Sequence, residues 1–338
     1  MKEKKPKITV ITATFNLIKD GRKDFFCQCV ESVHNQTYPN IEHIVIDGAS
    51  TDGSLDLIRK YEKKGWLKCY SEPDNGMHEG MNKGLKKATG KYIIFLNSDD
   101  FYHSKDILEK AVQKLEESGA DYLYGDYLIT DRDGSGLSEI NVTSPEYIFK
   151  QMTWKHEALI VRKDIYEKIG GYKERFKEAI DCALNIELVL SDCSFVYLNE
   201  NMFTCRMGGK TTVTRYKIAP DVMERVVEAF LFYYKKACPS LTKADMLNIL
   251  FNGIYPKAYL RSISDYFVKK NLKNFNYSYF FYLLKDMEHS IFDTSLQIRN
   301  KKYFYLFNFF PLIKSYKKGN ITRFYLFNFI PIFKIKTK

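Results

Sequence analysis

The feature that most constrains this chain is an alternation of two hydrophobic periods over residues 8–126. Short apolar runs at Ile8–Thr12, His43–Ile46, Leu67–Tyr70, Tyr92–Leu96 and Tyr122–Tyr124 read as strands. Between them, Phe26, Cys29, Val30 and Val33 recur at helical spacing, as do apolar positions within Ser54–Lys64, Met77–Lys87 and Lys105–Glu117. Strands separated by helices of this length imply an α/β fold on a mostly parallel sheet, because parallel neighbours need a crossover between them. Ligands of such sheets bind beyond the carboxyl ends of the strands. The segment after each strand is therefore the place to look for function.

Those segments are polar and acidic. Thr12-Ala-Thr-Phe-Asn16 succeeds the first strand, Asp47-Gly-Ala-Ser-Thr-Asp52 the second, and Asn97-Ser-Asp-Asp100 the fourth. The glycine fingerprints of dinucleotide and mononucleotide loops are absent, and so is a G-x-S-x-G nucleophile elbow. Asp99 and Asp100 are adjacent, and Asp47 ends another strand of the same sheet. Carboxylates crowded on one rim repel, which is costly unless a cation offsets them. Mg²⁺ or Mn²⁺ takes one or two protein carboxylates and completes its shell with phosphate oxygens and water. The expectation is a divalent metal and a diphosphate at this rim.

Charge excludes other partners. The chain of 338 residues carries a net +11, yet residues 299–338 hold ten Lys/Arg and no acid, which leaves about +1 for everything before them. The folded part thus lacks the basic stripe of a nucleic-acid enzyme, and no nucleic acid is expected. The tail repeats: Tyr303–Lys314 returns as Arg323–Lys334, with Asn308/Asn328 and Pro311/Pro331 in step. Its interleaved aromatics and lysines suit a membrane interface, and equally two short hairpins packed on the protein's own surface. Seven cysteines, an odd number without a C-x-x-C pair, read as apolar fillers. The start shows no secretory signal, so the expected location is the cytoplasm, with peripheral contact at the inner face of the membrane.

Four segments together carry a resemblance. Ile8–Asn16, Val45–Gly53, Asp74–Gly84 and Phe95–Asp100 are similar, in order and spacing, to the nucleotide half of family 2 glycosyltransferases of the GT-A fold. The bacterial surface-polysaccharide enzymes are of this type. The similarity runs on through Ile165–Tyr172 to Asp181 and fades near residue 212.

The resemblance implies an inverting, metal-dependent transferase. It would move a sugar from a nucleoside diphosphate, with UDP-hexose or UDP-N-acetylhexosamine expected. The acceptor would be a hydroxyl of a lipopolysaccharide, capsule or other surface glycan, plausibly lipid-linked. Asp47 would bind the base, with Thr12, Thr14 and Asn16 in the same pocket and Lys83 near the diphosphate. Asn97 and Asp99 would face the nucleotide sugar, and Asp99 and Asp100 the Mn²⁺ or Mg²⁺. Asn97 departs from the family, whose loop reads Asp-x-Asp. Asp181 would be the general base, unless it merely caps its helix, and His156 would lie on the acceptor side.

The expected organisation is a GT-A domain over 1–212, a helical region over 213–298 and the basic aromatic tail over 299–338. Two rivals remain at this point. One is a processive polysaccharide synthase, although the Gln-x-x-Arg-Trp motif and spanning helices of such enzymes are missing. The other is a non-catalytic module that binds carbohydrate or nucleotide sugar.

Overall fold

A computed structural model describes residues 5–149, 154–208, 212–214, 217–218, 220–293, 303–306, 310–318, 321–326 and 330–336. The chain divides into two compact units. One holds the residues up to Thr143 together with Trp154–Val222; the other holds Ser144–Thr153 and Met223 onward.

The first unit begins β1 (Ile8–Thr14), α1 (Lys23–His34), β2 (Ile41–Asp47), α2 (Ser54–Lys63), β3 (Lys68–Ser71), α3 (Met77–Lys87) and β4 (Tyr92–Phe95). It continues β5 (Phe101–Tyr102), α4 (Ile107–Ser118), β6 (Tyr122–Thr130), β7 (Ser138–Ile140), β8 (Leu159–Arg162), α5 (Lys163–Ile169), α6 (Ile180–Leu190) and β9 (Phe195–Arg206). The sheet order is β3-β2-β1-β4-β8-β6-β9-β5, with β7 on β6. The strands from β3 to β4 are all parallel, as are β6 and β9. Strand β8 enters antiparallel between β4 and β6.

Residue chemistry explains this layer. Ile8, Val10 and Ile11 of β1, like Ile93, Ile94 and Phe95 of β4, are fully buried, as a sheet covered on both faces requires. Helix α3 lies close on β1 and β2 because its inward positions include glycine. A Cβ at Gly84 would overlap the Ile11 side chain, and one at Gly80 would stand 3.2 Å from Asp74 Oδ2. Parallel register then aligns Thr14, Asp47 and Ser71 side by side at the carboxyl rim.

The second unit packs the turn at Pro145–Phe149 with helices Lys257–Lys270 and Tyr277–Asp293 and with the part of helix Pro220–Tyr234 from Met223 onward. Tyr234 donates to Ile148 O at 2.9 Å, and the Phe149 and Phe280 rings meet edge to face at 5.2 Å. In the tail repeat, Tyr303–Leu306, Phe310–Lys318, Ile321–Leu326 and Ile330–Lys336 form a four-stranded antiparallel sheet. Each copy is a hairpin of the same register: Tyr303 pairs Lys314 as Arg323 pairs Lys334, and both slip one residue after Phe304 and Phe324. The sequence period is thus a structural period. Among the described residues, no helix is long and apolar enough to cross a membrane.

Candidate active site

At the rim of the first unit lies a cavity of about 720 Å³, whose lining includes Thr14, Phe15, Arg22, Asp74, Asn75 and Arg132. Its size and its two guanidinium groups suit an anionic ligand of nucleotide dimensions. Asp74 sits in a notch made by Gly48 and Gly80, which leave no Cβ in its way. Oδ1 of Asp74 accepts the Gly76 amide at 2.9 Å, and burial holds its carboxyl above the usual range.

Asp47 is fully buried beside this notch. It accepts the Ser50 amide at 3.0 Å and hydroxyl at 2.5 Å, and the Ser71 hydroxyl at 2.7 Å. Thr14 reaches the Ile46 carbonyl at 3.3 Å. Asn16, at φ 45°, accepts the Thr51 amide at 3.1 Å and so ties the first loop to the second. Thr12 points elsewhere: it is fully buried with its hydroxyl 3.1 Å from His43 Nε2. One residue of strand pleat separates it from the cavity-lining Ala13. Lys83 is held by the Pro73 carbonyl at 2.6 Å and by Glu79 at 3.1 Å.

The acids group differently from the expectation that Asp47, Asp99 and Asp100 crowd together. Asp47 has Asp74 as its acidic neighbour. Asp99 and Asp100 instead face Glu157, which is 1% exposed. The reason is topological: β1 lies between β2 and β4, whereas β8, preceded by Glu157, lies directly beside β4. Burial, with Asp99 and Glu157 beside it, pushes the Asp100 carboxyl well above its ordinary range. Arg206, at the end of β9, gives its amide to Asp100 Oδ1 at 2.7 Å and its guanidinium to Asp99 O at 2.5 Å. Arg22 joins the two regions, lining the cavity while its Nη1 stands 3.4 Å from Ser98 Oγ.

Next to this loop, Asn97 donates to Glu157 Oε1, and its Oδ1 lies 3.3 Å from His156 Nε2. His156 Nδ1 is 2.5 Å from Asp181 Oδ1. Burial disfavours the imidazolium, yet the Asp181 and Glu157 carboxylates push its pKa up to about 9. Asp181 stands in the first turn of α6, with Ala179 at the N-cap, so it does not cap the helix. Its side chain keeps 20% exposure. Among the described residues, His156, Glu157 and Asp181 are close enough to share a metal ion. Both ring nitrogens of His156 already face acceptors, however, which leaves it no lone pair for a metal.

A model of glycosyl transferase family 2 matches residues 9–170. Residues 9–170 are thus similar to the family 2 glycosyltransferases. Over 144 residues it is 34% identical to TuaG of Bacillus subtilis (strain 168), a glycosyltransferase named for teichuronic acid biosynthesis; the match covers 42% of this chain and 54% of that protein. Glycosyltransferase GlyA of Streptococcus pneumoniae serotype 4 is 28% identical over 223 residues, 60% of this chain and 30% of that one. The chain thus spans about half or less of these relatives. The crystal structure of S. aureus TarS 1–349 in complex with UDP-GlcNAc shares the fold, with a TM-score of 0.55 at 17% identity, covering 98% of this chain and 100% of that one. The glycosyltransferase domain is accordingly of the GT-A type.

Sequence reasoning missed Arg22, Asp74, Glu157 and Arg206 as parts of this domain's rim. Asp74 and Glu157 stand inside segments the sequence singled out, next to Gly76 and His156. Arg206 gave no local signal, because it reaches the acidic loop through the pairing of β9 with β5.

Proposed function

We propose that this protein transfers a sugar, with inversion, from a nucleoside diphosphate sugar to a hydroxyl of a surface glycan. The observation that carries the reading is the adjacency of three features in one unit: the arginine-lined cavity, the buried Asp99-Asp100 loop, and the Asp181–His156 pair. The nucleotide would occupy the cavity, with Asp47 and Asp74 towards the base and Arg22 and Arg132 towards the diphosphate. Thr14 lines this cavity, Asn16 ties its loop to the next through the Thr51 amide, and Thr12 lies behind it. Lys83 holds the Pro73 carbonyl, and so the segment carrying Asp74, in place.

The residues at the loop fit a divalent cation. Burial and like charge disfavour the carboxylate of Asp100, and a Mn²⁺ or Mg²⁺ held by Asp99 and Asp100 would relieve that cost. When bound, such an ion supplies charge stabilisation to a leaving diphosphate. Asp181 would act as general base: His156 holds Oδ1, so Oδ2 would take the proton of the attacking hydroxyl as its oxygen bonds to the sugar and the sugar–diphosphate bond breaks to release the nucleoside diphosphate. His156 is thereby a positioning residue. UDP-GlcNAc is the donor to try first, since the TarS fold neighbour binds it.

The test is release of UDP from UDP-GlcNAc without acceptor, in Mn²⁺ and in EDTA. The proposal expects slow hydrolysis with Mn²⁺ that falls by roughly tenfold or more on chelation. Equal rates in both would remove the metal, and binding without turnover would favour a non-catalytic module.

A further inference from the structure

The hydrogen bonds around Asn97 have a fixed direction. Asn97 opens the acidic loop Asn97-Ser98-Asp99-Asp100. Its Nδ2 donates to Glu157 Oε1, a residue 60 positions away, and this turns its Oδ1 towards His156 Nε2 at 3.3 Å. An amide oxygen only accepts, so Nε2 must carry a hydrogen. Asp181 Oδ1, 2.5 Å from Nδ1, only accepts too, so Nδ1 must carry another. Glu157 meanwhile is 1% exposed, and its Oε2 has no hydrogen-bond partner. A carboxylate buried in this way is costly, and the Asn97 amide, the His156 ring 3.6 Å from Oε1 and the buried Lys155 offset that cost.

We infer that Asn97 and Glu157 form an acid–amide pair through which Glu157, from the turn before β8, adds a third carboxylate beside Asp99 and Asp100. The amide, on the loop side, orients its oxygen to keep His156 protonated on both nitrogens and so fixed against Asp181. Glu157 is a positioning and charge-bearing residue of the site. This inference rests on the reading of that loop as the cation and diphosphate site.

The pair has a specific signature. Asn97→Asp sets two carboxylates against each other and removes the donor to Glu157. Glu157→Gln leaves two amides and one charge too few. The two substitutions together rebuild the pair with its polarity reversed. The amide introduced at position 157 donates to the carboxylate introduced at position 97, and that carboxylate still accepts from His156.

Melting temperature and Mn²⁺-dependent UDP-GlcNAc hydrolysis are to be measured for the wild type, N97D, E157Q and the double variant. N97D, which opposes two buried carboxylates, should lower the melting temperature, and both single substitutions should cut hydrolysis by roughly tenfold or more. The double variant should recover most of both. Full activity in N97D, or a double variant no better than its single parents, overturns the inference. Melting needs no donor, so absence of hydrolysis in the wild type would count against the proposed function while the melting cycle still decides the pair.

Discussion

At the scale of single residues, His156 is the most informative side chain. It sits between Asp181 on α6 and Asn97 after β4, with Lys155 and Glu157 at its flanks and the rings of Phe95 and Tyr172 against it. A histidine whose pKa rises on folding stabilises the fold fully below its ordinary pKa. That contribution is lost as pH climbs through the folded value. For His156 the window runs from 6.5 to about 9. Urea unfolding at the two ends of that window should show a stability loss on the order of 1–3 kcal/mol in the wild type, and a smaller one in His156→Gln. Equal losses would place the titration elsewhere. Asp47, Asp99 and Asp100 were legible in the sequence because strand ends carry them, whereas Asp74 and Glu157 were not. The role of His156 was legible only as a weak acceptor-side expectation, since its partners lie 25 and 59 residues away. Asp181 likewise read as a base or an N-cap, and only the placement of Ala179 at the cap separates the two.

Individual elements explain how much of the fold the sequence disclosed. Helix α3 matches its expected bounds, Met77–Lys87, because glycines mark its sheet-facing side and charge its outer side. Strand β6 is nine residues long where three were expected, since its second half gains partners on both sides from β7 and β9, which no local pattern reports. Strand β5, of two residues, was missed for the same reason. The tail illustrates the opposite case. Its repeat implied hairpins or a membrane contact, and the hairpins are present in identical register. An antiparallel sheet rich in lysine and aromatic residues, with no acid, retains the chemistry for an anionic lipid surface. Removing 299–338 should reduce co-sedimentation with vesicles containing phosphatidylserine by roughly tenfold, given about 1 kcal/mol per basic residue near such a surface. Unchanged sedimentation would reject membrane contact through the tail.

The molecule as a whole combines a GT-A unit with a helical unit that ends in the tail sheet. The first unit holds every residue to which the proposed chemistry is assigned, from Thr14 to Arg206. The proposed tasks lie along one sheet rim: Asp47 and Asp74 beside β1–β3, Asp99 and Asp100 after β4, and the Asn97–His156–Asp181 chain next to that loop. The most direct test of the account is Asp181→Asn. UDP-GlcNAc turnover in Mn²⁺ should fall by roughly 10²–10⁴-fold, the range of a lost general base, while UDP affinity by calorimetry stays within about twofold because Asp181 lies outside the cavity lining. Turnover equal to the wild type's would contradict the assignment of Asp181, and with it the chemistry proposed for this rim.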